Sequence, residues 1–242
     1  MSVLPRHFAA RVTLLRDRIE SFDDYPFSVP VVRMLDSIEL HPKMTFLVGE
    51  HGSGKSTLLE AIAVALEFNA EGGSRNFNFQ TRPSHSGLHE FLRIGKGVRP
   101  SDAYFLRAES MYNVATTIDD LGVDDAYGGR SLHAQSHGES FMTLLKTRFV
   151  GNGLYLLDEP EAALSPARQI EALQRLHELV LQGSQFIVAT HSPILMAYPD
   201  AAILQCTATG LRRVNYEDTE HLRITRDFLL HRDKVFDILL ER

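Results

Sequence analysis

Nine consecutive residues, Gly49-Glu50-His51-Gly52-Ser53-Gly54-Lys55-Ser56-Thr57, combine three glycines, a lysine and three hydroxyls. They satisfy G-x-x-x-x-G-K-[ST], the phosphate-binding P-loop, with no departure. The chemistry is anion capture. Glycines let the backbone curl until successive N–H groups converge on phosphate oxygens, and the positive end of a following helix adds to the field. Lys55 is expected to reach the β- and γ-phosphates, and the Ser56 hydroxyl to bind Mg²⁺. The bland alternative is a glycine-rich turn before an ordinary helix. The flanks favour the first reading. Thr45 to Val48 is apolar and β-prone. Ser56 to Phe68 spaces Leu58, Leu59, Ile62 and Leu66 as one face of a helix. A nucleoside triphosphate site is the expectation, with base identity left open.

A second segment supplies carboxylates. Leu154-Tyr155-Leu156-Leu157 reads as a buried strand that ends on Asp158-Glu159, where ligands of an α/β sheet bind. Asp158 suits Mg²⁺ held through its water shell, and Glu159 suits polarisation of an attacking water. An acidic strand-end turn is the competing structural reading. A further strand, Gln185 to Thr190, ends on His191-Ser192-Pro193. If the two strands are neighbours, His191 lies beside the carboxylates and can bond both the γ-phosphate and the water. Glu159, His191 and Lys55 are thus the catalytic candidates. Ser136-His137-Gly138-Glu139 fits S-x-x-E, a capping box opening a helix through Phe141, Leu144, Leu145 and Phe149. A hydroxyl, a glycine and free N–H groups at a helix start also make an anion receptor.

These groups need a scaffold, and the remaining sequence outlines one. Residues 11–50 read as β-rich, punctuated by Pro26, Pro30 and Pro42. Asn76-Phe77-Asn78-Phe79 suits an exposed edge strand, and Ala103 to Leu106 a stronger one. Residues 111–135 look polar and poorly periodic, and are read as a mobile insert. Beyond 139 the pattern alternates: helix, strand, helix, strand, short helix, strand. Ser165-Pro166 opens the second of these helices and Gly183 closes it. Alternating strands and helices around a P-loop predict one α/β domain over 1–242, with a mostly parallel sheet covered on both faces. Residues 111–150 form a subdomain within it. An amphipathic helix is expected from Glu220 to Arg232, with His221 and His231 as surface residues.

Bulk properties bound the class. The 242 residues carry a net charge of −6 and 44% hydrophobic residues, values of an ordinary globular protein. The charge argues against whole-surface attraction to nucleic acid or anionic lipid. Arg6, Arg11, Arg16 and Arg18 could form a local basic stripe, with a solvated polar face the preferred reading. No apolar run approaches the ~20 residues of a membrane span, so no membrane insertion by this chain is expected. Cys206 stands alone, which excludes an internal disulfide and agrees with a cytoplasmic setting.

In order along the chain, the P-loop 49–57, Ser136-His137-Gly138-Glu139, Asp158-Glu159, Ala163-Leu164-Ser165 and His191 resemble the ATP-binding-cassette (ABC) ATPases. The resemblance covers about residues 30–205. The wording D-E-P-E-A-A-L-S-P followed by A-T-H-S-P-I-L is more similar to the soluble RecF/OLD-like branch of AAA-family ATPases than to transporters. Transporters usually read L-S-G-G-Q and D-E-P-T-S-A-L-D at these places. The resemblance implies ATP as substrate, Mg²⁺ as cofactor, and hydrolysis. It also implies an ATP-dependent homodimer, in which Ser136, Gly138 and Glu139 of one chain meet nucleotide held by Gly49, Glu50, His51, Gly52, Ser53, Gly54, Lys55, Ser56 and Thr57 of the other. Glu109 falls where the family carries a metal-side glutamine, and Gln80 competes for that role. Tyr25 and Phe27 are candidates to stack on adenine. A separate protein or nucleic-acid partner, in DNA repair or defence, is one functional expectation. The ATP-binding subunit of a membrane transporter is the alternative.

Overall fold

The computed structural model describes residues 7–74, 86–109, 111–122, 129 and 131–240. Arg6, Gln80 and the expected Asn76–Phe79 strand lie outside the described residues. In chain order the main elements are β1 (Ala9–Leu14), α1 (Pro30–Arg33), β2 (Ser37–Glu39), β3 (Met44–Val48), α2 (Lys55–Ala65), β4 (Gly73–Ser74), β5 (Leu92–Lys96), β6 (Asp102–Arg107), α3 (Met111–Leu121), α4 (His137–Thr143), β7 (Gly153–Asp158), α5 (Pro166–Leu181), β8 (Gln185–Thr190), β9 (Ala202–Thr207), β10 (Gly210–Val214), α6 (Glu220–Leu230) and α7 (Arg232–Leu239).

Seven strands form the central sheet, in the order β10-β9-β3-β8-β7-β6-β4. Its middle, β9-β3-β8-β7-β6, is parallel throughout, while β10 and β4 are antiparallel edges. Every residue of β3, β7 and β8 is buried, as a parallel sheet covered on both faces requires. The two-residue side-chain alternation divides the core cleanly. Met44, Phe46, Val48, Tyr155, Leu157, Phe186 and Val188 face one apolar cluster. Leu47, Leu154, Leu156, Ile187 and Ala189 face the other.

The first cluster is closed by α3, α4 and α5, through Val114, Ile118, Phe141, Leu176 and Leu179. Residues 111–122 therefore correct the reading of 111–135 as a mobile insert. Met111, Val114, Ala115 and Ile118 stand at helical spacing and are buried, but the Thr, Asn and Asp on the opposite face hide the stripe. The second cluster is closed by α2 and a small antiparallel sheet, β2-β1-β5. Gln185 ties the two sheets together. Its side-chain oxygen accepts from the N–H groups of Phe8 (2.9 Å) and Ala9 (3.0 Å), and its amide donates to the carbonyls of Ala9 (2.7 Å) and His41 (2.9 Å).

Two of the N-terminal arginines, Arg11 and Arg16, serve local structure. Arg11 pairs with Glu39, and Arg16 donates to the carbonyls of Arg33 and Leu35. The expected Glu220–Arg232 helix ends earlier, at Leu230. His231 breaks it and α7 follows. Among the described residues, no helix is long and apolar enough to cross a membrane.

Candidate nucleotide site

Strands β3, β7 and β8 run parallel and side by side, with Val48 opposite Thr190 and Asp158 opposite Ala189. The P-loop, the Asp158-Glu159 pair and His191 therefore emerge from the same edge of the sheet.

The P-loop backbone explains its glycines. Gly52 and Gly54 have φ of +76° and +92°, a region that side chains disfavour. A Cβ on Gly54 would also lie 2.4 Å from Val29 and 2.5 Å from Val31. Lys55 is 3% exposed, and its ammonium donates to the carbonyls of Gly49 (2.9 Å) and Glu50 (3.0 Å). Those carbonyls stand in for the phosphate oxygens that the lysine would otherwise meet. Burial lowers its pKa, partly opposed by the negative field of Glu159 and Asp158. Among the described residues, the Ser53 hydroxyl is buried without a hydrogen-bond partner, a donor awaiting an acceptor.

Opposite, the Ser56 hydroxyl donates to Asp158 Oδ1 at 2.9 Å. Asp158 is 5% exposed, and burial pushes its pKa up to about 6, opposed by the Ser56 hydrogen bond and the Arg107 guanidinium. A hydroxyl and a buried carboxylate in contact, beside an unpaired hydroxyl in a glycine cradle, fit a phosphate group and a hard oxygen-ligated cation such as Mg²⁺.

Glu159 has φ +49° and ψ +50°, left-handed geometry that costs an ordinary residue on the order of 1 kcal/mol. Its N–H donates to the Ala189 carbonyl at 2.9 Å, which fixes the bend. The carboxylate then turns toward His191, with Nε2 3.2 Å from Oε1. His191 is oriented from behind, because its Nδ1 lies 3.2 Å from Nε2 of His221. That contact corrects the reading of His221 as a surface residue without such neighbours. α6 carries it back across the chain, a reach invisible to local spacing. Burial lowers the His191 pKa, and Lys55 and His51 act in the same direction.

Three further side chains adjoin these groups, in contacts that the motifs do not specify. The Glu161 carboxylate accepts the His191 N–H at 2.5 Å. Arg107 bonds Glu60 at 2.7 Å and points its Nε toward Asp158 Oδ2, 3.9 Å away. His51 lies against His191 with ring centroids 4.2 Å apart and planes tilted by 39°, and its Nδ1 is 3.8 Å from Glu159 Oε1.

Glu109 is exposed, and its carboxylate is held by Arg107 rather than turned to the Ser56–Asp158 pair. Phe27 packs edge-on against Phe91 at 4.9 Å, whereas Tyr25 is 66% exposed. Ser136 and Glu139 form the expected capping box. Ser136 N–H and Oγ donate to Glu139 Oε2 at 2.9 and 2.8 Å, and the Glu139 N–H returns a bond to Oγ at 3.3 Å. A Cβ on Gly138 would lie 2.7 Å from the Ala163 carbonyl. Glycine thus lets this helix start pack on the turn that follows Asp158-Glu159.

Known proteins are similar to this chain in sequence and in fold. An "AAA domain" family model matches residues 28–111. A second AAA-domain model, described with the AbiEii toxin of type IV toxin–antitoxin systems, matches residues 131–197. The thiamine import ATP-binding protein ThiQ of Cereibacter sphaeroides is 31% identical over 166 residues, covering 61% of this chain and 70% of ThiQ. The nucleoside import ATP-binding protein NupA of Lactococcus lactis is 24% identical over 203 residues, covering 72% of this chain and 38% of NupA. The fold matches a bacterial Atm1-family ABC exporter with ATP bound, at a TM-score of 0.52 and 16% identity, over 91% of this chain and 42% of that one. The site and fold define a P-loop nucleotide-binding ATPase domain. The chain belongs to the ABC-type ATPases. It spans well under half the length of several relatives, NupA among them.

Proposed function

We propose that this chain hydrolyses ATP with Mg²⁺ and that ATP closes two copies head to tail. One observation carries the reading: the Ser56–Asp158 pair, Glu159 and His191 converge at the ends of adjacent parallel strands. Mg²⁺, when bound, neutralises phosphate charge. Ser56 and Asp158 would hold its oxygen shell, and Lys55 would exchange the carbonyls of Gly49 and Glu50 for phosphate oxygens. Glu159 accepts the proton of the attacking water, while His191 steadies the carboxylate and bonds the γ-phosphate. His191 serves in its neutral form, which burial favours. Glu109, freed from Arg107, is our candidate for a metal-side contact. Ser136, Gly138 and Glu139 meet the nucleotide of the second copy, so the domain of residues 1–242 acts as one half of a composite enzyme with 111–150 as its signature subdomain.

The downstream task is a cytoplasmic ATP-gated switch that acts on a separate protein or nucleic acid, in defence or DNA repair. The match of residues 131–197 to the AbiEii-associated family supports defence. A transporter-subunit role is a second reading, supported by the import ATP-binding proteins among the relatives. Phosphate release from Mg-ATP by the purified chain tests hydrolysis. Glu159→Gln should lower the rate by roughly 10²–10⁴-fold with nucleotide binding retained. Equal rates in variant and wild type would remove Glu159 from the chemistry.

A further inference from the structure

His51 lends phosphate capture its backbone N–H, which leaves its exposed imidazole without a part in that task. It stands over the catalytic pair, and one ligand atom each of His51, Glu159 and His191 lies within 4.8 Å of the others. We propose that these three side chains form a site for a zinc-type transition ion in the nucleotide-free chain, and that the ion withdraws Glu159 and His191 from water activation. The inhibitory half rests on the hydrolytic reading above; the metal site does not.

Geometry supports the ligand set. Zinc bonds of about 2.0–2.1 Å in a tetrahedron put neighbouring ligand atoms about 3.3 Å apart. Glu159 Oε1 and His191 Nε2 already stand at 3.2 Å, and His51 Nδ1 lies 3.8 Å from the same oxygen. His51 has an 82% exposed side chain, free to swing from within 4.8 Å of both other ligand atoms to bonding distance. The other two ligands are held. Glu159 is fixed by its left-handed backbone, and His191 by the hydrogen bond between its second ring nitrogen and His221. A metal-bound imidazole is oriented by an acceptor at its far nitrogen, and His221 Nε2 stands in that place here. Three protein ligands leave a fourth position for water. Two imidazoles with one carboxylate select zinc, cobalt or nickel over Mg²⁺, which prefers oxygen. The ion would occupy the His191 nitrogen and the Glu159 oxygen that hydrolysis needs, so metal binding and turnover exclude each other.

The test uses the full chain, freed of nucleotide and metals, titrated with cobalt(II) chloride and followed by visible absorption. The prediction is a tetrahedral-type band that saturates at one ion per chain and is bleached by one equivalent of zinc chloride. His51→Ala and His51→Asn should each weaken cobalt binding at least ten-fold, with the melting temperature unchanged to show that folding survives. No band, or a band unaltered in both variants, overturns the proposal. Phosphate release separates the two claims: zinc should inhibit wild type at concentrations ten-fold below those that inhibit His51→Asn. Cobalt binding as described in a chain that releases no phosphate would keep the metal site and sink the hydrolytic reading. Phosphate release without cobalt binding would do the reverse.

Discussion

The P-loop side and the signature side of this molecule handle their polar groups in opposite ways. Around the P-loop, Lys55 and Asp158 are buried and linked through strands at the centre of the sheet. Their hydrogen bonds involve backbone carbonyls and Ser56, and among the described residues Ser53 is left without a partner. At the start of α4, Ser136 is exposed and its donors are satisfied by Glu139, three residues away. The first region keeps its polar groups in the core of one chain, as the proposed binding site there requires. The second is a well-formed helix cap whose use as an anion receptor needs a ligand brought from outside, and needs Glu139 to give way.

Breaking the buried side should have the largest effect. Lys55→Ala removes the only cation in the phosphate cradle among the described residues, and hydrolysis should fall at least about 10²–10³-fold. Nucleotide binding, read with a fluorescent ATP analogue, should fall in parallel; intact binding would mean that the lysine is only a structural tie to Gly49 and Glu50.

Asp158 sharpens the comparison through pH. Burial raises its pKa from 3.8 to about 6, so the folded chain holds that proton more tightly than the unfolded chain. The associated stability is full below about pH 4 and is lost as pH rises through about 6, on the order of 3 kcal/mol. Asp158→Asn in the nucleotide-free chain should therefore be more stable than wild type at pH 7.5, with the gain vanishing near pH 4. It should also lose Mg-ATP protection against thermal unfolding. A variant less stable than wild type at both pH values would contradict the assigned shift.

The signature side should give the smallest change in the isolated chain. Ser136→Ala should cost about 1 kcal/mol as a lost helix cap, and leave the single chain's affinity for ATP in place. Its effect should emerge in ATP-dependent pairing. A variant that pairs with ATP as well as wild type does would reduce Ser136 to its capping role.

What was legible in the sequence follows the same division. The P-loop, Asp158-Glu159 and His191 stand at strand ends, and short apolar runs announce each strand. Parallel neighbours then bring these ends together. The Arg107–Glu60–Asp158 network left no such trace, because its members lie on β6, α2 and β7, and one pair is 47 residues apart. The Glu161 contact to His191 and the reach of His221 from α6 depend on how elements dock. α3 was obscured because its buried stripe is thin, four apolar residues among polar ones. The family assignment came through the motifs and their order, and structural similarity supports the fold.

The most direct test of the account is the mass of Glu159→Gln in solution, by light scattering, with and without Mg-ATP. The account predicts a monomer that becomes a dimer when Mg-ATP is added and returns to a monomer when Ser136→Ala is combined with it. A mass that ignores ATP would contradict the composite site and leave Ser136–Glu139 as a helix cap alone.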